Sequence, residues 1–327
     1  MTRREALALL AALPACARAA APPEVPRGPA LKLEPLVDLV PTPGLVWLLE
    51  ARPRELLANA VVAPAVALVV PPARLDAFAE RHGGVDLRAL DALVVASYPE
   101  ATLSLARTQL QTGRVEAAFT AGTTPVEGRA VEGGVTRLWG GGAGRRAQLA
   151  LFGSEAVGLE RGHLGPLRPA IYFAQGKLRR ALPALRAEPL AAADTLVGPA
   201  PLRLFAPGPF DGEWSGGLGG LLRATTAIGA TMHPVVHPPD GALDLQVALL
   251  GAWGADATAA AERLGAAFQL LANDSLGRLL GLDRPLEEPR ISGDAQALRL
   301  QVLVDPLVLG RGLHAASDAR LEEIMAY

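Results

Sequence analysis

Leu243-Asp244-Leu245-Gln246-Val247-Ala248-Leu249 alternates side chains of two characters without a break. A period of two puts Leu243, Leu245, Val247 and Leu249 on one face of a strand and Asp244, Gln246 and Ala248 on the other. The Asp240-Gly241 pair in front of it reads as a turn. Further on, Leu298, Leu300, Val302 and Val304 alternate with Arg299, Gln301 and Leu303 in the same way. Strands of this kind belong to sheets with one covered face, which is the antiparallel habit.

Working outward, the same grammar recurs in the first half of the chain. Leu93–Ser97 and Thr102–Arg107 read as paired strands, as do Val135–Trp139, Gln148–Phe152 and Ala156–Glu160, with Gly153-Ser154 as a hairpin turn. Leu45–Leu49 and Leu202–Ala206 are shorter strand patterns, and residues 224–232 fit no single period. Helical spacing appears over Pro53–Val62, Pro72–His82, Gly113–Ala121, Pro166–Leu182 and from Asp256 to Asn273, with a last helix from Ser317. In both halves a strand pair, a helix and a further strand pair follow one another. The expected fold is therefore α+β: mostly antiparallel sheets with helices packed on one face, in two duplicated units at 44–182 and 183–327.

Composition narrows the partners. The chain has 327 residues, half of them hydrophobic, which is enough for a substantial core. Its formal net charge is -2, and its positive charge forms no stripe beyond the pairs Arg145-Arg146 and Arg179-Arg180, so no nucleic acid is expected as a partner.

The N-terminus carries an address. Met1-Thr2-Arg3-Arg4-Glu5 is followed by the apolar run Ala6–Ala12 and then Leu13-Pro14-Ala15-Cys16. A basic start, a short apolar stretch and small residues are the parts of a secretory signal peptide, here residues 1–15. Leu13-Pro14-Ala15-Cys16 resembles the lipobox of bacterial lipoproteins, which implies acylation of Cys16 and membrane attachment through that lipid. Thr2-Arg3-Arg4-Glu5-Ala6-Leu7 resembles the twin-arginine signal, which implies export of a folded chain. Cys16 is the one cysteine in the sequence, as suits a lipid-bearing residue in an oxidising compartment. The alternative is secretion after cleavage at Ala19, following the Ala17-Arg18-Ala19 pattern. Residues 16–43, rich in Ala and Pro, then read as a tether.

Two stretches are candidate sites. Glu213-Trp214-Ser215-Gly216-Gly217-Leu218-Gly219-Gly220 has glycines that weaken a helix by about 1 kcal/mol each, so something should compensate. It reads either as a close packing surface at the seam between units or as a flap with Trp214 touching lipid or an apolar ligand. His233-Pro234-Val235-Val236-His237 with Asp240 is the second. The prolines exclude a helix, and an extended strand would hold the two imidazoles about 13 Å apart, so a shared metal needs a tight loop. His82 reads as a cation at a helix end or as a packed ring.

No G-x-S-x-G elbow and no cysteine nucleophile are present, and no cofactor is expected. The expected function is a cell-envelope protein with a binding or scaffolding role, held by lipid at Cys16, with an envelope protein or an apolar small molecule as partner. The alternatives are an envelope hydrolase using His233, His237 and Asp240, or a carrier of an apolar ligand gated by the segment around Trp214.

Overall fold

The structure is a computed structural model that describes residues 30–325 apart from 124, 143–144, 163–164, 179–180 and 239–240. For residues 142, 145, 213–215 and 317–325 it describes the backbone alone. Cys16 and Asp240 therefore lie outside the described residues.

Among the described residues twelve strands form one antiparallel sheet, accompanied by helices, so the fold is mixed α and β. In chain order the strands are β1 (Trp47–Ala51), β2 (Ala92–Tyr98), β3 (Ala101–Arg107), β4 (Val126–Glu132), β5 (Val135–Gly142), β6 (Arg145–Phe152), β7 (Ala156–Gly162), β8 (Leu202–Pro207), β9 (Thr225–Val235), β10 (Ala242–Gly251), β11 (Arg290–Gly293) and β12 (Ala297–Val304). Across the sheet they run β11-β12-β10-β9-β8-β1-β2-β3-β7-β6-β5-β4. The two halves meet where β1 pairs with β8, Glu50 opposite Arg203 and Leu48 opposite Phe205. That single sheet replaces the separate sheets expected for the two units.

The helices are α1 (Pro53–Ala58), α2 (Ala63–Val69), α3 (Pro72–Arg81), α4 (Thr112–Gly122), α5 (Leu167–Ala174), α6 (Leu190–Val197), α7 (Ala257–Asn273), α8 (Ser275–Leu279) and α9 (Pro306–Met325). Helix α5 is shorter than its apolar pattern because Gly176 takes a left-handed conformation at φ +66° just beyond it. Helix α9 begins earlier than Ser317, at Pro306, a residue well suited to the first helical turn. Among the described residues no helix is long and apolar enough to cross a membrane.

Apolar packing occurs on both sides of the sheet. In β6, Ala150 and Phe152 join the largest cluster with Leu48, Leu103 and Phe205, while Leu149 and Leu151 join another with Val115 and Leu138. Cover on one face alone, which the alternation suggested, does not describe this region. Leu33, Leu36, Val37, Leu39 and Val40 are buried in the largest cluster. This part of the segment read as tether is thus folded, because its apolar side chains find the sheet.

Candidate functional site

A polar row crosses the half of the sheet that contains β8 to β12. Antiparallel register places Glu50 opposite Arg203, Arg203 opposite Thr231, Thr231 opposite Gln246, Gln246 opposite Gln301 and Gln301 opposite Arg290. Directly opposed residues share a face, so these side chains rise from one side of the sheet. Helix α6 packs on that side, so close to β9 that a Cβ on Gly229 would meet Val197 Cγ1 at 2.9 Å. Glu50, Arg203 and Thr231 therefore lie under or beside protein, whereas Arg290 at the far end of the row is largely exposed. Thr231 is 4% exposed and Asp244, next to the row on β10, is 6% exposed.

Beyond the reach of α6 the row opens into a cleft of about 200 Å³. Its lining comprises Val235, Asp244, Arg290, Gln301 and Leu303 from the strands and Glu287 and Glu288 from the approach to β11. Asp244 is held from two strands at once. Gln246 Nε2 donates to its Oδ2 at 2.8 Å, and Gln301 Nε2 donates to Oδ1 and Oδ2 at 3.0 and 2.9 Å. Arg290 is turned towards Glu287, with Nη2 3.2 Å from Oε2, and His237 Nε2 lies 3.8 Å from the other oxygen of Glu287. No cation lies within ion-pair distance of Asp244 among the described residues.

Other buried charges are compensated. Arg203, at 13% side-chain exposure, is paired with both Glu50 and Asp194. Glu160 is 1% exposed and accepts from Gln148 Nε2 at 3.2 Å and from the backbone N–H groups of Gly165 and Leu167 at 3.1 and 2.7 Å, the latter two at the start of α5. Burial, and then the charge of Glu160, push the Tyr98 phenol above its ordinary range. Its hydroxyl donates to Pro41 O at 2.8 Å.

The residues singled out by sequence are distributed as follows. His233 lies in β9 opposite Asp244, and His237 lies past the strand end beside Glu287. Among the described residues no three His, Cys, Asp or Glu side chains converge as for a metal ion. The glycine segment is an irregular helical stretch, Gly212–Ala224, that contains Trp214 and Gly216. Gly217 is extended there, and Leu218, Gly219 and Gly220 are left-handed at φ 50°, 66° and 83°. Leu218, Leu221 and Leu222 pack with Leu264 of α7. The segment therefore packs inside the second half and not at the β1–β8 seam. It lines neither the cleft over Asp244 nor the small one beside Gly83 and Arg114. His82 stacks on Phe78 with ring centroids 4.2 Å apart, and burial, then Arg161 and Arg81, hold its pKa below the usual histidine value. It is a packed ring.

The site residues missed by sequence are Asp244, Gln246 and Gln301, which alternation assigns to a solvated face. The usable signal was the repeated Leu-x-Leu-Gln-Val in both strands, which places a Gln at the same offset on neighbouring β10 and β12. Comparison with family models, curated proteins and solved structures finds no match.

Proposed function

We propose that this chain is an exported cell-envelope protein, anchored by lipid at Cys16, whose folded part binds or scaffolds a partner and consists of two duplicated units. The observation that carries the reading is Leu13-Pro14-Ala15-Cys16 directly after a basic start and a short apolar run. The run is about half the roughly 20 residues of a spanning helix, which favours a cleaved signal over a retained anchor.

The chain path supports duplication. Three meandering strands are followed by a helix, and the last strand of each half returns beside the third: β7 beside β3, and β12 beside β10. A further helix follows in each case, α5 and α9. The surface supports association. Leu270 and Leu271 on α7, Leu276 on α8 and Leu313 on α9 are exposed, on helices that touch in succession.

The test is Cys16→Ser. With radiolabelled palmitate, the wild-type chain should incorporate label and fractionate with membranes, while the variant should lose the label and remain an unprocessed precursor. Cleavage after Ala19 in both proteins, with neither labelled, would overturn the anchor.

A further inference from the structure

The geometry points to the cleft over Asp244 as a binding site for a small aliphatic ligand with a cationic N–H head, an ammonium or a guanidinium. It rests on the binding role proposed above and gives that role a ligand chemistry.

The first observation is the charge left over. A carboxylate this buried is costly unless paired or strongly hydrogen-bonded. Arg203 and Glu160 are treated accordingly, with two carboxylates and a helix start as partners. Asp244 has two neutral amides. A carboxylate offers about four acceptor positions, and the single contact to Oδ1, shared with Oδ2, leaves part of that capacity unused on the wall of an open cleft.

The second observation is the Thr231 hydroxyl, which has no hydrogen-bond partner although the residue is 4% exposed. It stands directly opposite Gln246, on the same face as Asp244. An unsatisfied buried hydroxyl is costly, and this one adjoins the amide of Gln246 that holds the carboxylate.

The third is the shape and sign of the cleft. Glu287 and Glu288 add negative charge at the mouth, and Arg290 offsets only part of it. Val235 and Leu303 supply an apolar surface beside Asp244, which suits a short methylene chain behind the charged head. A divalent metal fits less well. The amide N–H groups already aim at Asp244, where a metal would need bare oxygens, and no three ligating side chains converge among the described residues.

Isothermal titration of the purified full chain with 1,5-diaminopentane and with agmatine tests the assignment, with glutarate as a dianion of the same length. Both cations should bind with a Kd of about a millimolar or tighter, and Asp244→Asn should weaken them at least about tenfold. Glutarate should give no heat of binding. Leu303→Lys places an ammonium opposite Asp244. That variant should raise the unfolding midpoint and abolish diamine binding. N-acetyl-lysine methylamide separates the sources: binding as tight as the diamine's assigns the site to a lysine side chain of a partner, and weaker binding assigns it to a free amine. No cation binding to the wild type, or equal binding to a folded Asp244→Asn, would overturn the assignment. Release of the Cys16→Ser protein from membranes is read in a separate assay, so failure here leaves the envelope reading standing.

Discussion

At the scale of single residues, two buried carboxylates are built for opposite ends. Glu160 sits at a helix start with two backbone N–H donors, and its negative charge is what those donors favour. Asp244 has neither a helix start nor a cation. Glu160→Gln should therefore lower the stability of the folded chain by about 2 kcal/mol, the usual worth of a hydrogen bond to a charged group. Asp244→Asn should leave it unchanged or raise it, since the amide keeps the hydrogen-bonding shape and removes an uncompensated charge. Urea unfolding of the two variants beside the wild type checks both signs. A loss for Asp244→Asn as large as that for Glu160→Gln would mean that Asp244 serves the fold rather than a ligand.

At the scale of elements, the irregular stretch Gly212–Ala224 needs its glycines unequally. Gly220 has φ +83°, where a Cβ costs about 1–2 kcal/mol. Gly216 has ordinary φ and nothing within 4 Å of the position a Cβ would take. Gly220→Ala should destabilise by about 1 kcal/mol, whereas Gly216→Ala should be neutral or stabilising by a few tenths through the unfolded chain. Thermal midpoints of the two variants separate these outcomes, and equal effects would contradict the left-handed assignment. Most regular elements were legible in the sequence. Alternation located β10 and β12, and helical spacing located α3 and α7 within a residue or two. The glycine stretch was not readable in this way, because Leu218 holds a left-handed conformation that composition assigns to glycine. The cleft was hidden for another reason. Asp244 and Gln301 look solvated along their own strands, and the enclosing Val235, Glu287, Glu288 and Arg290 lie on other segments that only the sheet register brings beside them.

At the scale of the whole molecule, the halves are joined by backbone pairing of β1 with β8. No local pattern announces a pairing between residues so far apart in the chain, which is why two sheets were expected. Separation of the halves would leave β1 with an unpaired edge and expose Leu48, which is fully buried in the intact sheet. The isolated segment 30–182 should consequently self-associate, seen as dimers or larger species in sedimentation, while the intact chain stays dispersed. A monodisperse, stably folded fragment would show that the seam is dispensable.

Leu31 and Lys32 dock near one end of the sheet. Lys32 N–H donates to Ala174 O on α5, and Leu31 lies against the turn between β4 and β5. The cleft opens over β10 and β12, and β5 to β10 spans eight strand spacings, about 40 Å at ordinary inter-strand distances. Leu31 and the cleft are thus far apart along the sheet. On the anchor proposed at Cys16, the cleft would stand at the end of the sheet away from the mooring. Slight rocking at that mooring would sweep the cleft through a wide arc, so that one anchor point would serve a broad area.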